Sequence, residues 1–146
     1  MSKYKKLSHV IYKCEYNIVW VPKYRFRILT GEIKKLIEEE IRMLCEWEKC
    51  ELQEMSVQID HIHLVLSILP KISVSELMGI LKGKLAIKLL KSYPKLKQKA
   101  YWGNQFWARG YFVSTVGIDE EDIKRYVMYQ KEEEKRIEEQ QHRFDF

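Results

Sequence analysis

Asp60-His61-Ile62-His63-Leu64-Val65-Leu66 sets two imidazoles two residues apart inside a run that otherwise reads as a buried strand. On a β-strand, side chains at i and i+2 share a face, so His61 and His63 project together while Ile62, Leu64 and Leu66 point the other way. Two imidazoles roughly 7 Å apart along a strand can converge on one divalent cation without a loop rearranging. That is half of a metal site. The spacing alone also fits a partly exposed strand that carries two polar side chains.

A second pair lies towards the C-terminus. Tyr126 and Gln130 are spaced i and i+4, and share a face of any helix formed there. A phenol, with its free pKa near 10, becomes a nucleophile when its proton is removed or its target is polarised by a metal. A glutamine carbonyl is a neutral oxygen ligand. With the two imidazoles it makes an N/N/O set with open positions, which suits Mg²⁺ or Mn²⁺ at a phosphate better than a closed structural zinc site. Taken alone, the pair also describes an amphipathic helix with a core tyrosine and a surface amide. Tyr129, whose i+4 neighbour is Glu133, competes for the nucleophile role.

The elements that must position these residues follow from pattern and punctuation. His9 to Val21 is rich in β-branched and aromatic residues and reads as a first strand ending at Pro22. Lys23-Tyr24-Arg25-Phe26-Arg27 then interleaves cations with aromatics, a combination that serves backbone contact and base stacking on a single strand, or packing at a domain edge. Thr30 caps a first helix, with Ile33, Leu36, Ile37, Ile41, Leu44 and Cys45 at helical spacing as far as about Lys49. Glu51 to Gln58 forms a hairpin with the His-bearing strand through a tight turn at Asp60. Ser73 and Glu76 make a capping box for a second helix, which must stop near Tyr93 because Pro94 cannot continue it. Lys95 to Asn104 reads as a basic loop. Phe106 to Val116 reads as the last strand, broken by Gly117, and Asp119 caps a final helix carrying Tyr126.

This order is β-α-β-β-α-β plus a terminal helix, the ferredoxin-like (RRM-like) α+β arrangement. Its first and third strands are central and both helices cover one sheet face, which leaves His61 and His63 on the open face. One domain is expected over 1–146, with a core at 1–117 and the tyrosine-bearing helix and charged tail at 118–146.

Composition narrows the function class. With 46% hydrophobic and 32% charged residues the chain is neither disordered nor membrane-like. No apolar run approaches the roughly 20 residues of a membrane span, and the polar start has no signal-peptide core, so a cytoplasmic location without membrane partners is expected. Positive charge is segregated: residues 1–30 hold seven Lys or Arg against one Glu, and residues 71–100 hold eight Lys against one Glu. Such blocks suit a polyanion whose phosphates release counterions, and equally a solvated helix face. Cys14, Cys45 and Cys50 are odd in number and lack Cys-x-x-Cys spacing, which reads as buried free thiols.

Several of these motifs, in this order, resemble the small single-tyrosine HUH transposases of the TnpA type, which mobilise insertion sequences as single-stranded DNA. They are Tyr16-Asn17-Ile18-Val19-Trp20 with Lys23-Tyr24-Arg25, Asp60-His61-Ile62-His63-Leu64, Lys82-Gly83, Phe106 to Gly117, and Tyr126 with Gln130. The resemblance implies that His61, His63 and Gln130 hold Mg²⁺ or Mn²⁺, and that Tyr126 attacks the scissile phosphate to give a 5′-phosphotyrosine and a free 3′-hydroxyl. It further implies a homodimer whose active sites are shared between subunits, acting on DNA hairpins at element ends in a bacterial or archaeal cytoplasm. Arg25, Lys82, Lys84, Lys88 and Arg109 are the DNA-binding candidates from charge and placement. A non-catalytic single-stranded nucleic-acid-binding module has no need for His61, His63, Tyr126 and Gln130 together. A domesticated repeat-associated enzyme of the same chemistry, and a water-using phosphodiesterase in which Tyr126 is dispensable, remain alternatives.

Overall fold

The alternation in the histidine segment is realised as a strand with one dry and one open face. Ile62, Leu64 and Leu66 are fully buried, whereas His61, His63 and Val65 are half-buried. The computed structural model of the chain describes residues 4–7, 9–98, 105–116 and 136. The chain divides into two units, Tyr12–Val116 and a second made of Met1–Ile11 with Gly117–Phe146.

In the larger unit, β3 (Glu15–Trp20), β4 (Glu51–Gln58), β5 (His61–Ser67) and β6 (Phe112–Thr115) form one antiparallel sheet in the order β4-β5-β3-β6. Two helices, α1 (Gly31–Trp47) and α2 (Val74–Ser92), complete it. With β3 and β5 central this is the ferredoxin-like order expected from the sequence. The register sets Ile18 opposite Leu64 and Trp20 opposite Ile62, so the buried side chains of β3 and β5 share a face. Ile37, Ile41 and Leu44 of α1, with Leu77, Leu81, Leu85 and Leu89 of α2, join them in one core. The opposite face carries Asn17, Val19, Ser56, His61 and His63.

Local chemistry sets the ends of the helices. The Ser73 hydroxyl accepts from the Glu76 N–H at 3.1 Å, the N-terminal half of the expected capping box. Helix α1 closes on Lys49 in the left-handed region (φ 57°), with Lys49 N–H donating to Glu46 O and Cys50 N–H to Cys45 O. That is a Schellman closure, in which two late carbonyls find donors. Cys45 and Cys50 are buried free thiols, and Cys14 is half-buried.

Two expected strands differ in the structure. The stretch from His9 to Val21 is two strands, because its halves have different partners. β2 (Val10–Tyr12) pairs with β1 (Lys5–Leu7) in a two-stranded ribbon, while β3 pairs with β5 and β6. Between them the Cys14 carbonyl accepts from Ile68 N–H at 2.8 Å. The stretch from Phe106 to Val116 is a strand only from Phe112. Its aromatics are there to fill the core: Phe106 and Trp107 are buried and meet edge to face at 4.6 Å, and Trp107 meets Trp20 at 5.9 Å. Trp107 bridges Pro22, which has no N–H to extend a ladder, and Gly110 takes φ 78°. The expected final helix, with Tyr126, Tyr129 and Gln130, lies outside the described residues.

Candidate active site

His61 and His63 stand side by side on the open face of β5, flanked by Gln58 and Ser56 of β4 and by Val19 of β3. Nδ1 of His61 lies 2.8 Å from Asp60 Oδ1. A carboxylate can only accept, so Nδ1 carries a proton and, in the neutral ring, Nε2 has the lone pair. Nε2 of His63 lies 3.2 Å from Asn17 Oδ1, so here Nε2 holds the proton and Nδ1 the lone pair. Each ring thus has one nitrogen fixed by a protein oxygen and the other able to ligate, the arrangement found around metal-binding histidines. The donors fit a divalent cation. Among the described residues no group of three or more His, Cys, Asp or Glu side chains could hold a metal. The third ligand expected, Gln130, lies outside them.

Asp60 does more than make the turn expected of it. Its second oxygen, Oδ2, takes Arg25 Nη2 at 3.3 Å. The hydrogen bond from His61, and behind it the charge of Arg25, hold the Asp60 carboxyl below its ordinary 3.8, although desolvation opposes them. Arg25 reaches Asp60 from the 3₁₀ turn Lys23–Arg25, where Tyr24 (φ 57°) and Arg25 (φ 53°) are both left-handed without being glycine. Such backbone costs on the order of 1–2 kcal/mol per residue and is kept where the surroundings impose it. Neither the Asp60–Arg25 link nor the Asn17–His63 link has a local sequence signal, since the partners are 35 and 46 residues apart.

The family model for IS200-like transposases matches residues 10–130. The chain belongs to the IS200-like transposase family. It is similar to the transposase of insertion sequence element IS200 from Salmonella typhimurium, with 42% identity over 92% of this chain and 88% of that one. It is also similar to the ISDra2 transposase TnpA of Deinococcus radiodurans, with 32% identity over 89% of this chain and 93% of that one. A crystal structure of a Deinococcus radiodurans R1 protein assigned as a transposase superposes with a TM-score of 0.71 at 27% identity, over 88% of this chain and 96% of that one. The fold is shared with a REP-associated tyrosine transposase solved with a REP hairpin, with a TM-score of 0.53 at 14% identity over 87% of this chain and 68% of that one.

The structure does not gather the transposase's five DNA-binding candidates in one place. Arg25 lies beside Asp60 at the histidine end of the sheet, and Arg109 is exposed between Trp107 and β6. Lys84 and Lys88 are exposed on α2, in the layer behind the sheet, and line a groove of about 380 Å³ with Met43, Trp47 and Ile87. Lys88 Nζ is 3.9 Å from Glu40.

Lys82 is half-buried, and its ammonium donates to the carbonyls of Ala108 at 3.0 Å and Gly110 at 2.9 Å. Trp107 Nε1 returns a bond to Lys82 O at 3.0 Å. These bonds pin the irregular segment before β6 to α2. Burial pulls the Lys82 ammonium below its ordinary 10.5. Lys82→Met should destabilise the fold by about 1 kcal/mol near neutral pH, chiefly through the part-buried Ala108 carbonyl left short of a donor, since the exposed Gly110 carbonyl can turn to water. The folded protein releases the Lys82 proton before the unfolded chain does. The wild type should thus gain stability on the variant as pH rises from the lowered folded value to 10.5. Paired denaturant melts at neutral and alkaline pH measure both effects.

Burial raises all three described thiols above their ordinary range, Cys14 included, which disfavours the thiolate. Burial pushes Cys45 up to about 12 and Cys50 up to about 11, with the neighbouring Cys50 and Glu48 respectively adding to the shift.

Proposed function

We propose that the protein cleaves and rejoins single-stranded DNA at insertion-sequence ends through a 5′-phosphotyrosine on Tyr126. His61, His63 and Gln130 would hold a divalent cation, Mg²⁺ or Mn²⁺. The observation that carries the reading is the presentation of two hydrogen-bonded imidazoles on the open sheet face of an IS200-like transposase. When bound, the cation would supply charge stabilisation to the transition state. The hydrogen bonds of His61 to Asp60 and of His63 to Asn17 would orient the two rings towards it. The Tyr126 oxygen attacks phosphorus, the P–O3′ bond breaks, the phenol gives up its proton and the departing 3′-oxygen takes one up. One phosphodiester is exchanged for another, so the strand can be rejoined without ATP.

The same reading makes the protein a homodimer in which the Tyr126 helix of one protomer completes the site of its partner. Edge strand β6, with Phe112 59% and Val113 39% exposed, supports an assembling surface. Hairpins at the element ends are the expected DNA partners, with Arg25, Lys82, Lys84, Lys88 and Arg109 as candidate contacts. No helix among the described residues is long and apolar enough to cross a membrane.

Incubation with a pool of single-stranded hairpin DNAs and Mg²⁺ or Mn²⁺ should give DNA that stays attached to protein under denaturing conditions. Chelator or the fully duplex form of the same sequences should abolish it. Cleaved DNA without an adduct would instead mean hydrolysis by water.

A further inference from the structure

We propose that Arg25 is a positioning residue of the metal site, acting through Asp60 on the tautomer of His61. The inference deepens the metal-assisted reading above and rests on it for its biological sense. Arg25, with its side chain 71% exposed, would on charge alone be a DNA phosphate contact. Its surroundings argue for another role.

The loop that carries Arg25 is tied down on several sides. Lys23 N–H donates to Phe106 O at 3.0 Å, Arg25 N–H to Pro22 O at 2.9 Å, and Leu29 N–H to Ile59 O at 3.0 Å. The last of these joins the loop to the turn that contains Asp60, and Leu29 is buried. Two consecutive left-handed residues, Tyr24 and Arg25, complete a backbone that holds the guanidinium against that turn. An exposed ion pair contributes little to stability, so stability is a poor account of a strained turn. The pair does fix the carboxylate. With Oδ2 on Arg25, Oδ1 is presented to His61 Nδ1 at 2.8 Å, and a carboxylate so placed keeps the proton on Nδ1. Nε2 is then the nitrogen with the lone pair, directed away from Asp60.

A free neutral imidazole favours its proton on Nε2, the nitrogen that would have to ligate. The Arg25–Asp60–His61 chain therefore does work that the isolated side chain would not do. Without Arg25 the carboxylate can rotate away from His61, the ring populates the other tautomer, and every cation bound has to displace that population first. The loss falls on metal affinity, which is read without DNA.

The test uses the full-length protein without metal. Nitrogen-15 NMR of the neutral His61 ring should show the Nδ1–H tautomer in the wild type and a mixture in Arg25→Ala. Mn²⁺ titration followed by electron paramagnetic resonance should show affinity lowered about tenfold in Arg25→Ala and in Asp60→Ala. The double variant should be no worse than Asp60→Ala, since the two act in series. Arg25→Lys, which keeps the charge, should recover part of the loss. An unchanged tautomer ratio and Mn²⁺ affinity in Arg25→Ala would overturn the proposal, and weaker DNA binding alongside would return Arg25 to a phosphate-contact role. A denaturant melt of each variant separates these outcomes from unfolding. None of the readouts needs DNA cleavage, so failure of the phosphotyrosine mechanism and failure of this proposal are told apart.

Discussion

Tyr126→Phe is expected to abolish the denaturation-resistant DNA adduct and to lower strand transfer by about 10³-fold or more, with hairpin binding almost unchanged. The substitution removes one oxygen, the atom that would carry the DNA, and keeps the ring. The buried thiols of Cys45 and Cys50 are poor substitutes, since burial pushes both well above neutrality. Tyr129 is the remaining contender. Tyr129→Phe in parallel decides between them: retention of the adduct assigns the nucleophile to Tyr126, and its loss only in Tyr129→Phe keeps the chemistry and moves the site. An adduct that persists in both single variants would rule out both phenols. The readout is a covalent bond that survives denaturant, so a variant that merely binds DNA less well gives less adduct at low DNA concentration and recovers at saturation, whereas a missing nucleophile does not.

The chemistry-bearing strand was legible because its information is local. A period-two alternation from His61 to Leu66 can satisfy only one face with apolar contacts, and Ile62, Leu64 and Leu66 are indeed fully buried while the imidazoles are not. The capping serine of α2, its end before Pro94, and the order of strands and helices were legible for the same reason. What was not legible depends on partners distant in sequence. Nothing near Cys14 announces that the strand on its N-terminal side pairs with β1 while the strand beyond it pairs with β5. The aromatic run from Phe106 fitted strand propensity, yet its first half serves as a core plug whose carbonyls are held by Lys82.

Lys82 and Arg25 show that a basic side chain can also serve the fold. Both lie in basic stretches and both are candidate DNA contacts on charge. In the folded chain one ammonium anchors two carbonyls and one guanidinium steadies a carboxylate. A cation's first claim is often on the protein's own unpaired acceptors, and those acceptors are created by the fold. Lys84 and Lys88, on the outer layer, remain on a solvent-facing groove with Trp47 and Ile87. The motif order therefore identified the family, while the internal partners of Lys82 and Arg25 needed the structure.

Removing either imidazole should also cost the protein most of its metal-dependent activity. His61→Ala and His63→Ala are each expected to lower metal-dependent adduct formation by about 10²–10³-fold, because the cation would lose a ligand and its charge would no longer be held where the transition state needs it. The double variant should be little worse than either single one, since ligands of one ion act as a unit. Stability should hardly change, because both rings lie on the open face, opposite the side that carries Ile62, Leu64 and Leu66, and their loss leaves no core cavity. Higher Mn²⁺ should restore part of the rate in the single variants, since the remaining ligands bind the cation more weakly but still bind it, and should restore none in the double. Unchanged adduct formation in both single variants, at a metal concentration that limits the wild type, would mean that the cation is held elsewhere or is not needed. In that case Asp60, Asn17 and the tautomers they impose would belong to the packing of the sheet face and not to catalysis.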